Sequence, residues 1–155
     1  MGMTTYIYGF IREYGLNSLR LVEVKRHNNR ILAHLPLSDN WPPLTRNMFA
    51  ATNNHKNESP GSMLEYTGRL IHFGASTKSI EHEWMEWQQK FERLLTSLYW
   101  LEATVHVKTE LNDIDTFNWS VDLRKWSIGK GKIQPLDHSC WIADHPKTWY
   151  NQSTK

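Results

Sequence analysis

One stretch of the chain limits the architecture more than any other. Ile80, Trp84, Trp87, Phe91, Leu94, Leu95 and Leu98 recur at intervals of three or four. That spacing lines one side of an α-helix with apolar bulk and leaves the other side polar. A helix over about 79–99 must therefore lie on something dry. Glu81 and Glu83 fall in its first turn, where the helix dipole favours carboxylates. Ser76, Thr77 or Ser79 can cap it. Glu86 and Lys90 stand one turn apart on the polar side, at the spacing of a helical ion pair.

The dry partner follows directly in the sequence. Ala103, Val105 and Val107 alternate with Thr104, His106 and Lys108, and Phe117, Trp119, Val121 and Leu123 alternate with Asn118, Ser120 and Asp122. Period-two alternation marks strands buried on one face only. Leu111 to Asp115 joins them into an antiparallel ribbon. Upstream, Tyr6, Tyr8 and Phe10 alternate with Ile7 and Ile11, which predicts a first strand over 4–12 with bulk on both faces. Residues 19–26 and 30–35 are rich in β-formers and flank His27-Asn28-Asn29, a hairpin pattern. Residues 64–73 read as a strand ending at Gly74, and Leu44 to Ala51 as a short helix entered at Pro43. The region 36–63 is otherwise an irregular loop, polar over 52–61. A further hairpin is expected at Gly129-Lys130-Gly131, and a loosely ordered tail from about Trp141. The expectation is a single α+β domain over 1–155: an antiparallel sheet with one long amphipathic helix packed on one face.

Charge and cysteine content narrow the function classes. The formal net charge is +2, from 18 basic and 16 acidic residues. So mild a balance predicts neither a nucleic-acid nor a membrane partner. Cys140 is the single cysteine, so no intrachain disulfide forms. The N-terminus lacks a basic segment followed by an apolar one, and no apolar run reaches membrane-spanning length. A cytoplasmic location is the expectation. Eight tryptophans exceed what a core of this size needs, so some are expected at the surface.

The motifs that resemble chemistry are weak. His82-Glu83-Trp84-Met85-Glu86 misses the zinc-protease helix pattern by its second histidine. His72 and His106 lie on predicted strands, opposite their apolar neighbours, and would be close if those strands paired. They could then hold a metal or act as an acid/base pair, with Glu102 or Glu110 as the acid in an enzyme reading. His138-Ser139-Cys140 puts a thiol two residues from an imidazole. A nucleophile needs spatial contact and usually an orienting third group. Arg124, Lys125, Lys130 and Lys132 surround Trp126, a small basic-aromatic cluster suited to single-stranded nucleic acid. No dinucleotide fingerprint, nucleophile elbow or calcium loop is present. The sequence therefore predicts no catalytic residue, no metal ligand and no cofactor.

An interaction surface remains. Trp41, Met48 and Phe49 stand in the irregular segment and Trp149 and Tyr150 in the tail, positions suited to anchors. Leu70-Ile71-His72-Phe73-Gly74, then Glu83-Trp84-Met85-Glu86-Trp87-Gln88-Gln89-Lys90-Phe91-Glu92, then Trp100-Leu101-Glu102-Ala103-Thr104-Val105-His106 resemble the small bacterial immunity proteins of polymorphic toxin systems. These include contact-dependent inhibition and type VI or Rhs effectors. The resemblance covers about 70–123 and is one of style, a Trp/Glu-rich helix between strands. It implies a binder that neutralises a cognate secreted toxin by stoichiometric occlusion. Glu81, Glu83 and Glu86 on the helix and Asp113 and Asp115 in the hairpin loop would meet a basic toxin cleft, with Trp41 and Phe49 as apolar anchors. Such proteins are often strongly acidic when the toxin is a nuclease, and a net charge of +2 departs from that pattern.

Overall fold

A computed structural model describes residues 3–13, 18–51, 69–111, 113–122 and 138–147. Among these, six strands form one antiparallel sheet in the order β2-β3-β1-β4-β5-β6. They are β1 (Thr4–Glu13), β2 (Phe49–Ala51), β3 (Leu70–Lys78), β4 (Trp100–Thr109), β5 (Asp115–Val121) and β6 (Trp141–Asp144). Helix α1 (Ser18–Ala33) follows β1, and α2 (Trp84–Ser97) follows β3. The run β1-α1-β2-β3-α2-β4, with β1 central between β3 and β4, is the split βαβ arrangement. The strands β5 and β6 extend it on the β4 side. The expected α+β class and the helix on one face of an antiparallel sheet are both present.

The predicted stripe organises the core. Ile80, Trp84, Trp87, Phe91, Leu94, Leu95 and Leu98 are all buried. They face Ile7, Ile11, Ile71, Phe73, Ala103, Val105, Val107, Phe117, Trp119 and Val121 from the sheet. Ser79 starts the reversal into α2 with a positive φ of 55° and donates its N–H to the Met3 carbonyl at 2.9 Å. A single 3-10 turn, Ile80–Glu83, then leads into the helix. Three buried indoles spend their N–H on the fold. Trp87 Nε1 donates to the Pro43 carbonyl at 3.1 Å, Trp100 Nε1 to the Leu95 carbonyl at 2.9 Å, and Trp119 Nε1 to Glu92 Oε1 at 2.9 Å. The surplus of tryptophan does reach the surface, at the half-exposed Trp41.

Gly9 shows how closely the central strands approach. A Cβ there would overlap the Thr104 carbonyl oxygen and stand 2.9 Å from Phe73 Cζ. The missing side chain leaves the room that the Phe73 ring takes beneath α2, 5.3 Å from Phe91.

Four expectations change. The hairpin over 19–35 is instead the 16-residue helix α1. Val24, Asn28 and Leu32 are buried, one turn apart, so the helical period overrides the β-rich composition. Asn28, read as a turn residue, spends its amide on tertiary contacts. Its Nδ2 donates to Glu13 Oε2 at 2.8 Å and to the Tyr99 carbonyl at 3.0 Å, while its Oδ1 accepts from Tyr99 N–H at 2.9 Å. The short helix expected over 44–51 is a 3-10 turn, Arg46–Met48, that runs into β2. The strand expected to end at Gly74 continues to Lys78, because Ser76 and Thr77 pair with Tyr6 and Thr5. The tail expected to be loose from Trp141 begins as β6, with Trp141 opposite Val121 and Asp144 opposite Asn118. The turn at Gly15, the loop over 52–61, the basic cluster, the hairpin at Gly129, and Trp149 and Tyr150 lie outside the described residues.

The two helices cover the same side of the sheet. On the other side β1 presents Tyr6, Tyr8, Phe10 and Arg12, flanked by Lys108, His106, Thr104 and Glu102 on β4. On its other flank stand Ser76, Gly74, His72 and Leu70 of β3. Tyr6 is 47% exposed and Tyr8 38%.

His145, just past β6, sits against the Trp119 and Phe117 rings with centroids 4.6 and 5.4 Å away. Burial there disfavours the imidazolium and holds its pKa below the usual histidine value of about 6.5. As pH falls below that value the unfolded chain takes the proton first, so stability drops until the folded-state pKa is reached. Urea midpoints measured across this range should decline with acidity in the wild type. They should decline less in His145→Phe, and equal slopes would remove His145 as the cause.

Candidate protein-binding surface

The segment after α1 forms a strap over α2. Lys90 fastens it: Nζ donates to Asp39 Oδ2 at 2.8 Å, the Asn40 carbonyl at 2.9 Å and the Pro42 carbonyl at 2.8 Å. Asp39 also accepts from the Leu44 N–H at 3.0 Å and the Asn40 N–H at 2.9 Å. The Lys90 hydrogen bond, then that from Leu44, holds the Asp39 carboxyl below its usual pKa. Lys90 was expected to pair along the helix with Glu86; its ammonium is instead spent on the strap. Within the strap Pro42 and Leu44 are buried, and Leu44 joins the core.

Between strap and helix lies an open concavity of about 470 Å³. Trp41 lines one wall and Glu83, Glu86, Gln89, Lys90 and Arg93 the other. Trp41 is half exposed, whereas the apolar side of the same helix is sealed against the sheet. The floor is rigid, because it is an α-helix anchored by six buried side chains. The strap is held by three hydrogen bonds from one ammonium. Glu83 and Glu86 line the same concavity as the Trp41 indole, with Arg93 beside them. Carboxylates and an indole in one hollow suit a cationic side chain by charge pairing and cation–π contact.

Of the seven residues expected to bind a partner, the fold brings Trp41, Glu83 and Glu86 together. The other four lie elsewhere. Phe49 is on β2, packs against Phe73 at 5.5 Å and lines a separate hollow of about 300 Å³ with Asn29, Leu32 and Arg46. Glu81 accepts a hydrogen bond from the buried Thr5 hydroxyl, so it ties β1 to the 3-10 turn before α2. Asp113 is exposed before β5, and Asp115 opens β5 opposite Val107. Gln89, Arg93 and the Lys90–Asp39 clamp were not anticipated. Only the i,i+3/i,i+4 spacing of 83, 86, 89, 90 and 93 signalled that these polar residues share a face.

The histidines singled out in the sequence stand apart from one another in the fold. His72 and His106 are not neighbours, because β1 lies between their strands. They are separated by two strand spacings, about 10 Å, with a further offset along the strands. His106 Nδ1 bonds Thr116 Oγ1 at 2.9 Å, and its ring rests 5.1 Å from that of Tyr8. His82 lies on the exposed side of the helix start, 4.0 Å from Glu81. His138 stacks on Trp141 at 4.1 Å, while Cys140 Sγ is 3.9 Å from Ser139 Oγ. Among the described residues no three His, Cys, Asp or Glu side chains are grouped to hold a metal ion, and no helix is long and apolar enough to cross a membrane.

Compared with family models, curated proteins and solved structures, the chain finds no significant match in any of the three.

Proposed function

We propose that the protein is a stoichiometric binder of another protein, an immunity partner that occludes a cognate bacterial toxin through the strap–helix concavity. The observation that carries this reading is the meeting of Trp41, Glu83 and Glu86 around one concavity whose strap is already fixed by Lys90. A preorganised surface loses little side-chain and loop entropy on binding, so more of its contact energy appears as affinity. Tryptophan is among the residues enriched at interface hot spots, and flanking carboxylates steer a basic partner toward it. The resemblance of 70–123 to toxin immunity proteins supplies the partner class.

The immunity reading predicts a toxin domain encoded beside this gene, and the test is co-expression with that domain, followed by purification and titration. A one-to-one complex and rescue of growth are expected. Trp41→Ala should weaken the complex by about 2 kcal/mol, roughly 30-fold. Glu83→Gln with Glu86→Gln should slow association mainly, with a smaller salt dependence than the wild type. Failure of the neighbouring domain to bind, or binding indifferent to Trp41→Ala, would end this reading.

A further inference from the structure

Among the described residues no element covers the side of the sheet opposite the helices, and that side is more aromatic than a solvated sheet face requires. An antiparallel sheet open to water on one side normally alternates apolar-in with polar-out. Here the outward positions of the central strand are Tyr6, Tyr8, Phe10 and Arg12. Ile142 on β6 is a further outward apolar side chain, 48% exposed and opposite Ser120.

We propose that this face is a dimer interface whose occupant is a second copy of the chain. Three features of the face argue for self-pairing. The first is charge. Lys108 lies opposite Tyr6 toward one end of the strands, and Glu102 lies opposite Arg12 toward the other. A two-fold axis in the plane of the face, running across the strands over Gly9 and Val105, exchanges those ends. Within one chain Arg12 Nη2 already holds Glu102 Oε2 at 3.1 Å. Across the axis Lys108 of each copy joins that pair on the other, and each Tyr6 ring meets the other copy's Arg12 guanidinium. Such an interface is isologous, with each contact made twice. The same balance of charge disfavours a nucleic acid, whose affinity is dominated by neutralised phosphates.

The second feature is shape. Tyr8 and Phe10 exchange across that axis, so the aromatic row of one copy lies on that of the other. Gly74, beside Tyr8, leaves a gap in the outward side chains, with little but Tyr8 Cβ and the Ile7 carbonyl near where a Cβ would stand. The axis sets His72 of the second copy over that gap, since Gly74 and His72 flank Phe73, the partner of Gly9.

The third is area. Strands about 4.8 Å apart rising about 3.3 Å per residue give this face a plane on the order of 700 Å². A standard interface buries roughly 800 Å² per subunit, and side-chain relief adds to a flat estimate. Packing of this kind keeps the strands of the two sheets within about 30° of each other. The concavity on α2 faces the opposite way, so the dimer would leave both copies of it free.

Sedimentation velocity over a micromolar concentration series tests this on the isolated chain. A monomer–dimer equilibrium is expected. Tyr8→Asp should weaken it by roughly a hundredfold or more, because a two-fold interface carries each substitution twice. Lys108→Glu should weaken it by roughly tenfold, and adding Glu102→Lys should restore it to within about threefold of the wild type. That rescue separates a cross-subunit pair from a fold defect, and near-ultraviolet circular dichroism checks that Tyr8→Asp stays folded. A wild-type monomer throughout, a dimer indifferent to Tyr8→Asp, or no rescue by the charge swap overturns the proposal. So does a monomer that binds oligouridylate with steep salt dependence, which would assign the aromatic row to base stacking. None of these results bears on the toxin complex, which is read through Trp41.

Discussion

Glu13→Ala should cost about 3–5 kcal/mol of folding stability, the size seen when one partner of a buried ion pair is removed. The Glu13 side chain is 1% exposed and that of Arg69 3%. Glu13 Oε1 accepts from Arg69 Nε, and its Oε2 accepts from Asn28. Arg69 Nη2 donates onward to Asn29 Oδ1 at 2.8 Å, and the backbones of Glu13 and Arg69 are bonded at 2.9 Å. The network ties the end of β1, the middle of α1 and the entry to β3 at one point. Truncating Glu13 strands a guanidinium where water cannot reach it, and it frees the amide that fixes α1. Replacing both partners, Glu13→Leu with Arg69→Met, removes the desolvation cost together with the attraction. That double variant should unfold much closer to the wild type than Glu13→Ala does. Urea denaturation of the three proteins measures this, provided the slopes agree. A Glu13→Ala midpoint within about 1 kcal/mol of wild type would mean that the pair is solvated.

How much of this was legible in the sequence depended on whether a residue's partners were local. The stripe from Ile80 to Leu98 and the alternation through Ala103–Val107 and Phe117–Val121 are periodic signals, and both elements formed where the period placed them. Helix α1 was misread because its signals are tertiary. Val22, Val24 and Ile31 favour strands, and Asn28-Asn29 favours a turn, until Glu13 and Tyr99 are there to occupy the Asn28 amide. The two edge strands β2 and β6 are three and four residues long, too short to show alternation. The candidate site was half legible. The polar helix face carried Glu83 and Glu86, and Trp41 stood out in an irregular segment. What joins them is Lys90 reaching Asp39 about fifty positions away, a contact without a sequence period. The histidines were misplaced for a topological reason. Strands β3 and β4 are consecutive around α2, yet β1 inserts between them.

Phe91→Ala is the second large effect, an expected loss of about 3–5 kcal/mol. Phe91 is fully buried at the centre of the aromatic layer, with ring centroids 5.3 Å from Phe73, 5.3 Å from Trp87 and 5.1 Å from Trp119. The Trp87 ring is stacked on it and the other two are tilted, so all three lose an aromatic face at once. These rings cannot collapse freely into the space left behind. Trp87 is held by Pro43 and Trp119 by Glu92 through their indole N–H groups. The cavity should therefore stay open, and the cavity term adds to the lost burial. For a chain of this length the loss corresponds to a melting point roughly 10 °C lower. Gln89→Ala, two residues earlier on the exposed side, should stay within about 0.5 kcal/mol of wild type. The comparison is diagnostic because both changes lie on one helix and remove side chains of similar length. If the two variants melted together, α2 would not be the element that closes the sheet, and the strap, its concavity and the exposed face opposite would lose their common frame.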